Sequence, residues 1–451
     1  MAEHRMKILF VLPGIGKKKG EKYLRSWLME PLTVAVLSKL TPPQYDRLFL
    51  DDRIETIDED TPCDVVAITV ETYTAKRAYE LAERFRRKGK IVVMGGYHVT
   101  LCPGDAAAHA DVLITGNAES VWADALADIA RGNFQPLYHG VACPDYGLPD
   151  RSIYADKMKK YLPISLIEIG RGCTRKCEFC SIASYYGGRY RHRPIEDIVA
   201  EIKTCGHGIF FFVDDSIFSD KSFAKALFTE IAKLRIVWVT QITLDVAGDG
   251  ELLRLMRESG CTLVLIGFES IDAGNLRQMN KEWNDRLGAR DTLVERIHGA
   301  GINIYASFVF GFDHDCEQSF ADVLDFSMRH RFFVVAFNHL LCFPGTKTYE
   351  TFRSEGRLLH ERWWLREDYD YGQISFAPAL VSPDGLRALC GKYKRRYFTF
   401  RSIFRRFPVL CARTKKPILH LAYWVMNIMF HFEVDRRIGI PVGENLDEAK
   451  K

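Results

Sequence analysis

Cys173, Cys177 and Cys180 fall within eight residues, in the stretch Gly170-Arg171-Gly172-Cys173-Thr174-Arg175-Lys176-Cys177-Glu178-Phe179-Cys180. The spacing is C-x3-C-x2-C. Three thiolates match three irons of a [4Fe–4S] cubane and leave the fourth iron without a protein ligand, open to chelate a second molecule. Glycines at 170 and 172 let the backbone wrap a cluster closely. Two other readings compete. A structural zinc site takes four ligands, usually as paired units, and the nearest downstream histidine, His192, has no paired spacing. The other reading is structural thiols. The remaining nine of twelve cysteines (63, 102, 143, 205, 261, 316, 342, 390 and 411) are scattered singly, as small buried hydrophobes are. The clustered donor set favours the cubane.

At 451 residues the chain is long enough for two or three domains. Hydrophobic residues make up 47% of it, and a net charge of +4 is too small for this length to argue for nucleic acid. Met1 to Arg5 is polar and Ile8 to Leu12 is too short for a signal peptide, so a cytoplasmic location is expected. Clustered cysteines there bind metal rather than forming disulfides. The longest apolar stretch, Ile418 to Phe432, includes His420, Asn427 and His431 and falls short of the ~20 residues of a membrane span.

The elements that must position the cysteines alternate between strand and helix. Short apolar runs at 7–12, 47–50, 65–70, 91–94 and 112–115 read as buried parallel strands, with helical spacing at 31–40, 75–88 and 120–130. That pattern predicts a doubly wound sheet. Residues ~133 to 163 carry Pro136, Pro144, Pro149 and Pro163 and read as a linker. A second alternation has strands at 165–169, 208–213, 237–242, 263–268, 304–310 and 334–338, and predicts an open or partial (β/α) barrel. The cysteines directly follow its first strand.

The cysteine motif, Phe179 before its last cysteine and the barrel pattern resemble the radical S-adenosylmethionine superfamily over residues 164–345. The resemblance implies that S-adenosylmethionine chelates the fourth iron, and that one-electron reduction yields a 5′-deoxyadenosyl radical able to take hydrogen from an unactivated carbon. It places Phe179 with the cofactor-binding residues. Phe212-Val213-Asp214-Asp215 stands where the superfamily often has a Gly-Gly-Glu stretch, which makes Asp214 an implied contact to S-adenosylmethionine; the alternative is a helix N-cap pair. Gln241 and Glu269 end the third and fourth barrel strands, where barrel ligands bind, and are candidate contacts too. Ser307 and Asn338 are further candidates.

Doubly wound sheets bind ligands at the carboxyl ends of their strands. Those loops carry Pro13-Gly14, Thr69 to Tyr73, Gly95-Gly96-Tyr97-His98 and Gly116-Asn117-Ala118-Glu119. Placed before a radical barrel, they resemble the B12-binding domain of cobalamin-dependent radical enzymes. The implied cobalamin contacts are Thr69, Thr72, Gly95, Gly96, His98, Gly116 and Glu119. The D-x-H-x-x-G motif of many B12 domains is absent, because Ile54 and Ile57 follow Asp52 where its histidine and glycine would be. The resemblance thus implies cobalamin without a cobalt-ligating histidine from that loop. His98 is read as a polar contact or a structural residue, and a domain that has lost its corrin remains a competing reading. In the implied reaction one S-adenosylmethionine generates the radical, methylcobalamin methylates the substrate carbon, and a second S-adenosylmethionine restores the methylcobalamin.

From about residue 350 the sequence turns aromatic and basic, and no Asp or Glu occurs between Gly385 and Phe432. Residues 393–407 interleave arginine with aromatics. These segments read as helices capping the barrel, as a lid for a large hydrophobic, anionic substrate, or as an attachment surface for membrane lipid, a peripheral membrane contact. Trp363-Trp364 and Tyr369-Asp370-Tyr371 add aromatic residues, read as core packing or as further aromatic surface. The expected organisation is α/β: a Rossmann-like cobalamin-binding domain over 1–145, a linker over 146–163, a partial (β/α)6 radical barrel over 164–350 and a C-terminal helical region over 351–451. The layout resembles the bacteriochlorophyllide methyltransferases of green sulfur bacteria. It implies C-methylation of a tetrapyrrole side chain, with electrons from a ferredoxin or flavodoxin. Methylation of a hopanoid-type lipid, a cobalamin-dependent radical cyclisation and a non-catalytic iron–sulfur and corrin sensor are the alternatives.

Overall fold

The computed structural model describes residues 5–141, 146–205, 208–284, 289–414 and 416–448; Cys143 lies outside them. The chain divides into two compact units, one of Met1–Pro163, Arg362–Tyr371 and Gly439–Lys451, the other of Ile164–Glu361 and Gly372–Ile438.

In the first unit, β1 (Lys7–Leu12), β2 (Asp46–Asp51), β3 (Val65–Thr69), β4 (Ile91–Gly95), β5 (Val112–Gly116) and β6 (Leu137–Gly140) form one sheet in the order β2-β1-β3-β4-β5-β6. All five pairings are parallel. Central strands are buried on both faces, which is why they read as unbroken apolar runs rather than alternating ones. Ile8, Phe10, Val65, Val93 and Ile114 pack with Trp122 of the helix Trp122–Ala130.

Residues 133–163 are not a bare linker. They contain β6 and a 3-10 stretch, Arg151–Lys160. Tyr154 and Tyr161 are buried in the sheet's core, where the Tyr161 hydroxyl donates to Asp51 at 2.8 Å. The prolines erase periodicity without preventing burial. Residues 362–371 and 439–451 also belong to this unit: Tyr371 N–H donates to Ile440 O at 2.8 Å, and Lys17 N–H to Glu444 O at 2.8 Å.

The second unit contains β7 (Ser165–Ile167), β8 (Gly170–Gly172), β9 (Tyr190–His192), β10 (Ile209–Phe212), β11 (Val237–Ile242), β12 (Cys261–Glu269), β13 (Asn303–Phe310) and β14 (Val334–His339). Six of these form an open parallel sheet in the order β14-β13-β12-β11-β10-β7. The order follows the chain without reversal, as in a partial barrel. The β8–β9 antiparallel hairpin lies outside that sheet and has no counterpart in the sequence expectation.

Three helices complete this unit: Pro383–Tyr397, Phe400–Arg413 and Pro417–Arg436. Ser382 and Thr399 cap the first two through their hydroxyls. The Arg406 guanidinium, 1% exposed, ties the group together. It donates to the carbonyls of Phe332, Phe333 and Tyr397 at 3.1–3.2 Å and to Asn427 Oδ1 at 3.0 Å. A buried cation with every donor satisfied is tolerated where an unpaired one would not be. Among the described residues, no helix is long and apolar enough to cross a membrane.

Candidate functional site

The cysteine loop leaves and re-enters the second unit through the β8–β9 hairpin. Gly170 pairs with His192 and Gly172 with Tyr190. Gly172 has a φ of +87°, and a Cβ there would lie 2.0 Å from the Arg189 carbonyl. No side chain fits, so glycine at this position is a condition of closing the loop. The Gly172 N–H then donates to the Asp215 carboxylate at 2.7 Å.

Five further contacts pin the loop from outside. Glu178 N–H donates to Met279 O at 3.1 Å, Thr348 N–H to Glu178 O at 3.1 Å, and the Asn280 amide to Lys176 O at 2.9 Å. The Arg175 guanidinium sits 3.9 Å above the Trp283 ring and 3.0 Å from Asp245. Phe179 is half-buried, its ring 6.1 Å from that of Phe312.

Within this loop Cys173, Cys177 and Cys180 influence one another electrostatically. Burial pushes the Cys177 thiol up to about 11, with Lys281 acting in the opposite direction. Burial also raises Cys180, which caps the helix Ser181–Tyr186; the amides of Ala183 and Ile182 oppose that rise. Arg175 N–H approaches Cys173 Sγ at 3.4 Å. Thiols held protonated by burial become thiolates when cationic metal replaces the protons. Among the described residues, no three His, Cys, Asp or Glu side chains converge as ligands of a single metal ion. Three thiols on one short loop match in number the three irons that a cubane offers to protein ligands.

The sequence candidates at the strand ends lie around the loop. Asp214 follows β10 and is fully buried. Its carboxylate accepts from Tyr190 at 3.1 Å and from Ser216 N–H at 2.8 Å. Burial, and then the neighbouring Asp215, push its pKa well above the ordinary carboxylate range. Burial likewise lifts Asp215 to about 6. The Gln241 amide donates to the Asp214 carbonyl, so Asp214 and Gln241 form one polar group. Glu269 ends β12 with a φ of +60°, where the register to β13 shifts. Its partner is Lys281, 5% exposed, whose ammonium lies 2.8 Å from Glu269 Oε1 and 2.9 Å from Gly267 O. Burial opposes the charge on Lys281, but Glu269 and Cys177 hold its pKa above the ordinary value.

Lys281, Asp215, Tyr190 and Asn280 were not among the sequence candidates. Asp215 was adjacent to one that was. Lys281 had no local signal.

In the first unit, Thr69 pairs with Gly95 and Gly95 with Ile114, so β3, β4 and β5 end side by side. Gly96 and Gly116 have φ of +116° and +72°. Added Cβ atoms would lie 2.6 Å from Val70 O and 2.1 Å from Gly140 O. Thr69 and Glu119 are half-buried. Thr72 and His98 are buried behind this edge. His98 is fully enclosed: Nδ1 lies 3.3 Å from the Thr72 hydroxyl and Nε2 3.1 Å from Asp105. Asp105 also accepts from Tyr79 at 3.0 Å, from Trp364 at 2.9 Å and from Arg362. Burial would raise the Asp105 carboxyl, but these donors hold it well below its usual range. Both His98 nitrogens are therefore spent inside the unit.

A family model described as the radical SAM superfamily matches residues 167–327. The chain is 32% identical to the bacteriochlorophyllide d C-12(1)-methyltransferase of Chlorobaculum tepidum, over 83% of this chain and 84% of that protein. It is 25% identical to the hopanoid C-2 methylase of Rhodopseudomonas palustris, over 87% and 75% respectively. Among solved structures, the radical S-adenosylmethionine methyltransferase TsrM of Kitasatospora setae, with cobalamin and a [4Fe-4S] cluster bound, superposes with a TM-score of 0.61 at 16% identity, over 78% of this chain and 75% of that one. The cobalamin-dependent enzyme OxsB, with aqua-cobalamin and S-adenosylmethionine bound, gives 0.65 at 12% identity, over 95% and 72%. These likenesses show a shared fold.

Proposed function

This chain belongs to the radical SAM superfamily, in the family of the bacteriochlorophyllide C-methyltransferases, and on that premise we propose that it methylates an unactivated carbon of a tetrapyrrole side chain with the help of cobalamin. The observation that carries the reading is the three-thiol loop. It is closed at Gly172, pinned at Glu178 and Lys176, and carries three cysteines in the C-x3-C-x2-C spacing.

When bound, the cluster and S-adenosylmethionine would supply the radical that removes hydrogen from the substrate, and methylcobalamin would supply the methyl group. The protein's own part is positional. Cys173, Cys177 and Cys180 hold the cluster. Lys281 and Glu269 place a charge-balanced pair beside Cys177. Asp214 and Gln241, joined by a hydrogen bond at neighbouring strand ends, would contact S-adenosylmethionine. Phe179 packs beside Phe312, its ring 6.1 Å away. In the first unit, Gly95, Gly96 and Gly116 let the ends of β3, β4 and β5 pack closely, and that sheet edge, with Thr69 and Glu119 beside it, is where a doubly wound sheet would take the corrin.

The electron donor is read as a ferredoxin- or flavodoxin-type protein, and the location as cytoplasmic with membrane association. Hopanoid-type lipid is the second substrate reading, favoured by the similarity to the hopanoid methylase.

The test is anaerobic reconstitution with iron, sulfide and hydroxocobalamin, then assay with bacteriochlorophyllide d. About four irons and one cobalt per chain, 5′-deoxyadenosine, and a product heavier by one CH2 are expected. No retained iron would overturn the family chemistry. Iron without cobalt would remove the methyl donor.

A further inference from the structure

The helices Phe400–Arg413 and Pro417–Arg436 each turn one face inward and leave the other bare. Ile403, Leu410, Leu419, Tyr423 and Asn427 are buried. On the outer side, Phe400 and Phe404 are four residues apart. Ile418, Leu421, Val425, Ile428 and Phe432 recur at steps of three and four, and all are exposed. That spacing is one face of a helix. Phe404 is 60% exposed and Leu421 59%, so most of each apolar side chain faces outward. The Trp424 ring, 4.9 Å from that of Phe404, joins the two rows into one patch. Contiguous apolar surface of this kind marks a contact with something other than water.

The charge around the patch selects the contact. No Asp or Glu occurs between Gly385 and Phe432, and Arg401 and Arg405 stand exposed in the row of Phe400 and Phe404. At the start of the helix Pro417–Arg436, Lys416 is within electrostatic reach of Arg257. Arg257 lines, with Arg254 and Arg296, an open cleft of about 460 Å³, in which Arg254 is also paired with Glu258 at 2.6 Å. A cationic cleft of headgroup size thus adjoins an apolar helix face.

We propose that this surface docks on a bilayer containing anionic phospholipid. The apolar rows enter the boundary between headgroups and acyl chains, and the arginine cleft takes a lipid phosphate. The proposal goes beyond the methyl-transfer reading and holds for any substrate. A second copy of the chain fits less well, since mating two such faces would bring the arginines of both copies together.

The test is sedimentation of the full-length, cluster-loaded protein with sucrose-filled vesicles of phosphatidylcholine alone, or of phosphatidylcholine mixed with phosphatidylglycerol. Binding to the mixed vesicles only, weakening as salt is raised, is expected. The Leu421→Ser/Val425→Ser variant should bind about ten-fold less tightly or worse. Arg254→Gln/Arg257→Gln/Arg296→Gln should lose about five-fold per arginine. If that triple variant melts below the parent, Arg401→Gln/Arg405→Gln serves instead, because both of its side chains are exposed. Equal binding to both vesicle types, or to neither, overturns the proposal. So does a dimer that Leu421→Ser/Val425→Ser dissociates, which would put a second copy on the face.

Discussion

Lys281 and Glu269 form a buried ion pair beside Cys177, with 2.8 Å between ammonium and carboxylate. The pair is fixed by an unusual backbone: Glu269 has a φ of +60° at the end of β12, and Gly267 leaves the space that its carboxylate fills. Removing one partner strands the other's charge away from water. Lys281→Met should therefore cost about 3 kcal/mol or more in unfolding free energy. Lys281→Met/Glu269→Gln should recover most of that loss. Anaerobic denaturant titrations of the two variants and the parent give the comparison. If the single variant were as stable as the parent, the ammonium would not be compensating the carboxylate.

Cys177→Ala should abolish both cluster assembly and 5′-deoxyadenosine formation, since a cubane with two protein ligands is not retained. Cys205→Ser, at a half-buried cysteine outside the loop, should keep the parent's iron. Iron and sulfide content per chain distinguishes the two. Parent-like iron in Cys177→Ala would dismiss the loop as the cluster site.

Gly172→Ala tests whether loop closure depends on glycine. The added methyl would meet the Arg189 carbonyl at 2.0 Å, in a backbone conformation that alanine disfavours. The expected cost is about 2 kcal/mol together with lower iron content, because the Gly172 N–H loses Asp215. Gly187→Ala is the control. Its φ is +61°, yet nothing lies within 4 Å of the added carbon. It should lose about 1 kcal/mol and keep its iron.

The parallel strands were legible because burial on both faces demands continuous apolar runs such as Lys7 to Leu12. The cysteine motif was legible because its three ligands are close in sequence. What escaped notice has its cause in distant contacts. The hairpin of Gly170-Arg171-Gly172 with Tyr190-Arg191-His192 has no apolar period; it depends on glycines and on Asp215. β6 is a short edge strand whose Leu137 is 52% exposed, so composition did not mark it. Lys281 matters through Glu269 on a strand end. The sequence left His98 open between a polar contact and a structural residue, because Gly95-Gly96 before it does not decide between them. Its burial is fixed by Asp105 and by Trp364, which returns from far along the chain.

That last contact leads to a prediction. Asp105 accepts from His98, Tyr79 and Trp364, and its removal leaves those donors buried and unpaired. Asp105→Ala should destabilise the first unit by about 3 kcal/mol or more. His98→Ala should cost about 2 kcal/mol through one lost partner and a cavity. If His98 is structural, the visible absorption spectrum of cobalamin bound to His98→Ala should match the parent's. A changed spectrum at unchanged occupancy would make His98 an axial ligand after all.

His298 gives the second unit a pH-dependent stability. It is 8% exposed, and a nitrogen of the Arg413 guanidinium lies 3.1 Å from its Nε2. A guanidinium only donates, so Nε2 must accept, and the ring must be neutral. Burial, and then the charge of Arg413, push His298 down to about 3 from an ordinary 6.5. The folded state thus binds the proton later than the unfolded chain does. Stability from this site is complete above pH 6.5 and is lost as pH falls from there toward 3. Between pH 7 and pH 5 the loss should be about 2 kcal/mol. His298→Gln keeps an acceptor for Arg413 and removes the titration, so its stability should fall less by that amount over the same interval. Denaturant midpoints for parent and variant at pH 7 and pH 5 measure the difference. Equal slopes with pH would mean that His298 already carries its proton in the folded protein, and the Arg413 contact would then need another geometry.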